Sequence, residues 1–315
     1  MQPVGAGIVA TIGTRGSPLA LAQAHEVRRR LAAAHQIVED AIAIRVIRTS
    51  GDVIQDRALL EAGGKGLFTK EIEEALLAGI VDLAVHSSKD VPTFLPENTW
   101  LSAFLPREDV RDVFISPRAS SLQELPAGSV VGTASLRRQA MVLRRRPDLK
   151  VKVFRGNVET RLRKLAEGEA DATLLALAGL RRLGMADKAT QILSVDEFLP
   201  AVGQGAVAIE SRRDDDRIAA FVARITDPDT ETALSAERSF LALLDGSCRT
   251  PIGGHCIVEG DRIRFRGLII SPDGDNAYET SREGPRVEAA ALGADAAREL
   301  RARAGEAFFT LFGGA

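Results

Sequence analysis

The chain has 315 residues, 45% hydrophobic and 27% charged. That is a globular composition, too long for one ordinary core and suited to two or three domains of roughly 100–150 residues each. Its 41 basic and 43 acidic side chains leave a formal charge of -2, which argues against a general nucleic-acid binder. Two cysteines, Cys248 and Cys256, allow neither a disulfide framework nor a four-cysteine zinc site, so a reducing cytosol is the expected compartment. The opening residues lack the basic lead of a secretory signal, and no apolar run approaches the ~20 residues of a membrane span.

Strand and helix patterns then alternate. An apolar run at 8–12 leads into GTRGSP, where Ser17 as cap and Pro18 at the first helical position open a helix through His35. Residues 41–49 read as a strand, 67–78 as a helix closed by Gly79, and 80–85 as a third strand followed by HSSKDVP. This order predicts a mostly parallel sheet covered by helices, with ligand-binding loops at the carboxyl ends of its strands. A similar unit begins near Val113, with strands at 129–132, 150–154 and 172–176 and helices at 135–146 and 157–167. Gly13 to Ser17 and Gly132 to Ser135 would aim hydroxyls and helix N-terminal amides at a shared cleft. Two α/β lobes around an anion site are therefore expected. After Pro200 come a Gly-rich turn and strand in AVGQGAVAIES, a helix at 230–244, a hairpin of 255–258 with 262–270, and a last helix at about 286–302. They predict a smaller α+β domain starting near Pro228.

The near-neutral total conceals an uneven distribution. Between Val131 and Lys164 eleven basic residues face only Asp148 and Glu159, a stretch of +9 against -11 for the remainder. Arg144, Arg145 and Arg146 suit a solvated helix face. Arg137, Arg138 and Arg155 instead follow predicted strand ends, where arginine can grip planar carboxylates bidentately. Only 4% of residues are aromatic, which leaves few stacking platforms for nucleic acid, so a polycarboxylate is the favoured partner.

Seven motifs carry a resemblance. GTRGSPLALAQA (13–24), GGKGLFTKEIE (63–73), HSSKDVP (86–92), GTASLRRQA (132–140), FRGNVETRL (154–162), LPAVGQGAVAIE (199–210) and GSCRTPIGGH (246–255) resemble, in order, those of the porphobilinogen deaminase (hydroxymethylbilane synthase) family. The match runs from about residue 8 to 270, and seven ordered motifs are far more specific than a lone Gly-rich loop.

The resemblance implies a monomeric enzyme with two periplasmic-binding-protein-like α/β lobes (1–105 with 206–225, and 106–205) and a C-terminal α+β domain (226–315). It implies head-to-tail condensation of four porphobilinogen molecules into hydroxymethylbilane with release of ammonia. The chain would grow on a dipyrromethane held by a thioether to Cys248, and Cys256, outside the motif, would be an ordinary buried thiol. Asp90 matches the catalytic carboxylate, with Lys89, Thr133, Ser135, Arg137 and Arg138 toward the cofactor. Arg15, Ser17, Arg155, Arg161, Lys65, Arg182 and Gln204 match the substrate side. The chemistry is coherent, because each porphobilinogen brings about two carboxylates, and a growing polyanion repels itself unless its surroundings are cationic.

Ser88 stands where many members carry methionine, and Ser247-Cys248-Arg249-Thr250 replaces a common Gly-Cys-Gln-Val; neither change removes a chemical group. His25, His35, His86 and His255 form no metal-ligand pattern, and GGKGLFT lacks phosphate-loop spacing, so neither metal nor nucleotide is expected. A two-lobed protein that merely binds a small anion is the alternative; it would need neither Cys248 nor Asp90.

Overall fold

The structure is a computed structural model, and it describes residues 7–53, 68–244 and 251–310. In chain order it begins with β1 (Ala10–Thr14), α1 (Pro18–His35), β2 (Ile42–Val46), α2 (Ser50–Val53), α3 (Lys70–Leu77), β3 (Leu83–Ser87) and β4 (Thr99–Phe104). Next come β5 (Asp112–Ile115), β6 (Val130–Gly132), α4 (Leu136–Arg145), β7 (Lys150–Lys152), α5 (Val158–Ala166), β8 (Ala172–Ala176), α6 (Leu177–Arg182) and β9 (Gln191–Ile192). The remainder comprises β10 (Val207–Arg212), α7 (Asp216–Ala223), α8 (Pro228–Leu243), β11 (Ile252–Glu259), β12 (Arg262–Ile270), β13 (Ala277–Pro285), α9 (Ala289–Ala304) and α10 (Glu306–Thr310).

The described residues form two compact units, the chain passing from one to the other at 107/108, 205/206 and 231/232. In the first, a five-stranded sheet runs β2-β1-β3-β10-β4. The second holds a five-stranded sheet ordered β7-β6-β8-β5-β9 and a three-stranded sheet ordered β11-β12-β13. The two larger sheets share one plan, three parallel strands followed by two antiparallel pairings. The sheets are therefore mixed rather than mostly parallel. The expected α/β class, with two sheet-bearing lobes and a smaller α+β portion, is what the chain adopts.

Local chemistry explains the boundaries. Ser17 caps α1 by accepting from the Ala20 amide, Ser135 caps α4 by accepting from that of Arg138, and Asn157 caps α5 by accepting from that of Thr160. The third strand starts and ends later than the sequence pattern suggests, at Leu83–Ser87. Gly79 ends α3 with φ +67°, and Asp82 is drawn into a turn in which its carboxylate accepts from the Thr11 amide at 2.7 Å. The strand therefore extends into HSSKD itself. β13 went unread because AYETSREGP has almost no apolar alternation. The last helix begins at Ala289, after a 3-10 turn at Arg286–Glu288.

The first unit's core packs Ile12, Leu83, Val85 and Ile209 of the sheet against Val27 and Leu31 of α1 and Ile218 and Val222 of α7. In the second unit, Leu268 and Ile270 of β12 share a core with Phe114, Val131, Met141 and Leu174, so the C-terminal sheet is packed onto the second lobe. Helices α8 and α9 meet at Gly293, where an added Cβ would lie 2.0 Å from the Ala236 carbonyl oxygen. Gly293→Ala is therefore expected to cost roughly 3 kcal/mol or more through overpacking and to lower Tm by several degrees. Calorimetry showing an unchanged Tm would contradict this packing.

Candidate functional site

In the first unit the functional residues gather where strands end and turns begin. Ser17 and Arg15 follow β1 and are half-buried, and the Arg15 guanidinium lies over the Phe68 ring, 4.2 Å from its centroid. β3 delivers His86 and Ser87 into a 3-10 turn at Ser88–Asp90. The turn is pinned by its backbone, the Ser88 amide donating to Ala206 O at 3.0 Å and the Val91 amide to Ser88 O at 3.2 Å. Gln23 of α1 donates to Ser87 Oγ at 2.9 Å, and His86 Nε2 lies 3.1 Å from Glu210 Oε2 of β10. Lys89 and Asp90 emerge half-buried from this braced turn. Among the described residues the Asp90 carboxylate has no hydrogen-bond or ion-pair partner, and the neighbouring Ser88 Oγ is buried without one.

Behind that turn lies a polar cluster that sequence reasoning missed. Glu73 of α3, His86 and Glu210 are all buried, with Glu210 fully so. Burial, the largest effect, pushes the Glu73 carboxyl above its ordinary range with the charge of Glu210 adding to it, against the opposing pull of Thr69 and of His86.

In the second unit, Thr133 and Ser135 form the turn between β6 and α4, Thr133 Oγ1 accepting from the Ser135 amide at 3.1 Å. Their hydroxyls sit at the start of a ten-residue helix, where unpaired amides and the macrodipole favour anions. Arg155, after β7, is buried, while Arg161 at the start of α5 is half-buried and donates through Nε to Gly156 O at 2.8 Å. Arg182, ending α6, donates to Gly205 O at 3.1 Å.

Arg137 and Arg138 depart from expectation. Rather than lining an open strand end they are 4% and 5% exposed, and both turn to Asp112 at the start of β5. Arg137 Nη2 donates to Asp112 Oδ2 at 2.6 Å, and Arg138 donates to Oδ1 through Nη2 at 2.7 Å and Nε at 3.2 Å. Gln204, expected beside substrate, is also buried here and donates to Asp112 Oδ1 at 2.8 Å and Val110 O at 2.7 Å. Burial alone would raise the Asp112 pKa, but the two guanidiniums overcome it and hold the carboxylate ionised well below the usual range. Desolvation lowers the pKa of Arg137, with Arg138 adding to the effect, while Asp112 opposes it. The sequence analysis opened the second unit near Val113 without naming this strand, and so passed over Asp112. Its signal was a charged residue opening an otherwise apolar strand, DVFI.

Cys248 and Lys65 lie outside the described residues. Cys256 is buried on β11. Among the described residues no group of three histidine, cysteine or acidic side chains could hold a metal, and no helix is long and apolar enough to cross a membrane. The donor chemistry present, hydroxyls, amides, arginines and a lysine at strand ends, suits a ligand rich in carboxylates, and Ser88 Oγ and Arg137 Nε are buried polar atoms still without partners.

An α/β scaffold that ends its strands in cationic and hydroxyl-bearing turns suits a protein that handles anions. Its family follows from comparison with known proteins. The sequence model described as porphobilinogen deaminase, dipyromethane cofactor binding domain, matches residues 10–220, and that of the porphobilinogen deaminase C-terminal domain matches residues 232–302. A curated porphobilinogen deaminase of Nitrobacter winogradskyi is 80% identical over 308 residues, covering 98% of each chain. The chloroplastic porphobilinogen deaminase of Oryza sativa subsp. japonica is 59% identical over 306 residues, covering 95% of this chain and 85% of that one. Among solved structures, the methionine-binding protein MetQ aligns over 70% of this chain and 91% of that one at 12% identity, with a TM-score of 0.45, too low to carry an argument. The chain belongs to the porphobilinogen deaminase family.

The buried acid cluster gives a test of the electrostatics around the turn. With its pKa raised in the folded state, Glu73 binds more protons folded than unfolded, so its contribution to stability falls as pH rises above the ordinary carboxyl range. Glu73→Gln is expected to track its parent in acid and gain stability relative to it between about pH 5 and 8. A Tm difference constant across that interval would contradict the shift.

Proposed function

We infer that this chain condenses four porphobilinogen molecules head to tail into the linear tetrapyrrole hydroxymethylbilane, releasing four ammonia molecules, as an enzyme of porphyrin and haem biosynthesis. Family membership over residues 10–220 and 232–302 supports the reaction. The observation that carries the site is Asp90, a half-buried carboxylate without a partner among the described residues, on a turn braced by Ala206 and, through its neighbours, by Gln23 and Glu210. A non-catalytic anion binder has no use for such a group.

The dipyrromethane, held by a thioether on Cys248, supplies a nucleophilic pyrrole α-carbon when bound. Lys89, Thr133, Ser135, Arg137 and Arg138 are the residues assigned to hold it. Around them the chain's own groups do three things. Arg15, Arg155, Arg161 and Arg182, with Lys65, offset the carboxylates of incoming substrate, each molecule of which adds about two negative charges at neutral pH, and the neutral Ser17 and Gln204 are assigned to the same side. The Ser88–Asp90 turn holds Asp90 where positive charge develops on pyrrole nitrogen as the substrate amine leaves. A fixed carboxylate lowers the energy of that cation and can take up and return the proton. Because the strand-end backbone fixes the turn, little reorganisation accompanies each of the four additions.

The domains follow as two α/β lobes, 1–105 with 206–225 and 106–205, and a C-terminal portion, 226–315, that carries the cofactor cysteine. The protein is proposed to act as a monomer in the cytosol, with a polycarboxylate rather than nucleic acid as its partner. The low cysteine count and the arginine-rich, aromatic-poor composition support that reading.

Asp90→Asn retains shape and removes charge. It is expected to fold normally and to lose ~10²- to 10⁴-fold in hydroxymethylbilane formation, the span of general acid–base catalysis. Arg155→Ala is expected to raise the KM for porphobilinogen by ~10-fold or more, the usual loss on deleting a charged hydrogen-bond donor. Single-substrate kinetics on purified, cofactor-loaded variants checks both. Parental turnover in Asp90→Asn would remove Asp90 from the chemistry.

A further inference from the structure

Asp112 has no place in the roles assigned above, yet it is the hub of the second unit's buried charge. Its two oxygens accept from Arg137, Arg138 and Gln204, and those side chains continue to the backbone of β8, of the 199–204 segment and of the residues just before β5. Arg137 Nη1 reaches Leu199 O at 2.7 Å, Arg138 Nη1 reaches Leu174 O at 2.9 Å, and Gln204 reaches Val110 O at 2.7 Å. Asp112 and both arginines are buried, so one negative and two positive charges leave this group with a net charge of +1.

We propose that Asp112 is a positioning residue for the anion site of the second unit: a built-in carboxylate that aligns Arg137 and Arg138 and sets the charge that they present. The inference rests on the function proposed above and adds a residue to it. Two adjacent buried guanidiniums repel each other, and each is costly to desolvate alone. Asp112 removes both difficulties, and it does so by occupying the Nε/Nη2 edge of Arg138, the edge that would otherwise grip an external carboxylate bidentately. Arg137 retains one buried donor, Nε, without a partner. The consequence is a graded attraction. A bare dication would trap the first carboxylate to arrive, whereas a group of net charge +1 can hold a substituent of a growing chain and still release it.

Asp112→Asn keeps the shape and deletes the charge, leaving the two arginines uncompensated. Three results are expected. The Tm falls by roughly 10 °C, as for a buried pair that loses one partner. The fraction of molecules carrying the covalent cofactor in intact-protein mass spectra falls by about 10-fold or more, the scale expected when a charged hydrogen-bond partner is lost. Added acetate, compared with chloride at the same ionic strength, recovers at least half of the lost Tm in the variant and leaves the parent unchanged, because a small carboxylate takes the place of the missing one. Asp112→Glu, which restores the charge, is expected to restore loading. If Asp112→Asn is insoluble in chloride, refolding in acetate decides: recovery only in acetate supports the role, and recovery in neither overturns it. The inference is also overturned by an Asp112→Asn protein that loads like its parent, or by one whose lost stability answers neither to acetate nor to Asp112→Glu. A parent protein without cofactor mass would refute the proposed function instead, and the acetate-dependent Tm would still judge Asp112.

Discussion

A guanidinium cannot be buried without a counter-charge, and the second unit is organised around that requirement. Arg137 and Arg138 occupy the first turn of α4, where the packing of Ala140, Met141 and Val142 into the core draws the helix N-terminus inward. Burying two cations there would be prohibitive on its own. Asp112 makes it possible, and in doing so joins the start of β5 to α4, the middle of β8 and the 199–204 segment through one set of charge-assisted hydrogen bonds. Replacing such a cluster with apolar residues would often be neutral for stability. Retaining the charges suits a unit whose ligand is itself an anion.

The first unit meets the same need by different means. Its Ser88–Asp90 turn is held by backbone pairing and by side-chain hydrogen bonds, the Gln23–Ser87 pair on one face of β3 and His86–Glu210 on the other. Bracing a turn from both faces of a strand fixes where the residues beyond it stand. The two units share a strand plan but differ in electrostatics: the first holds Asp90 beside Lys89, with Arg15 after β1, and the second holds most of the arginines singled out above. Charge that looked like a property of one sequence stretch is thus assigned residue by residue, some to structure and some to function. Arg146 illustrates the former, since it donates to the Leu122, Gln123 and Leu125 carbonyls and pairs with Asp148.

Much of this was legible in the sequence because it was local. Ser17-Pro18 announced a helix start through capping chemistry, and IVDLAV (80–85) announced a buried strand leading into a polar turn. The ordered motifs carried the family. What escaped was non-local. Asp112 pairs with residues 25 and 26 positions away, Glu210 with one 124 positions away, and nothing in a one-dimensional pattern distinguishes an arginine waiting for a ligand from one already satisfied by a distant carboxylate. Some antiparallel strands were missed for a related reason: β9 is two residues long and β13 is polar, and their pairing is settled by the neighbours they find. Arg137 and Arg138, expected to meet an external carboxylate, are buried against Asp112 instead.

The central claim is that this chain builds its product on a cofactor carried by its own cysteine. The most direct measurement is the intact mass of the protein freshly purified from cells able to make porphobilinogen, beside that of Cys248→Ala. The account predicts that the parent exceeds its sequence mass by one covalent dipyrromethane and that Cys248→Ala matches its sequence mass. An unmodified parent, or an adduct that survives the loss of Cys248, would contradict it.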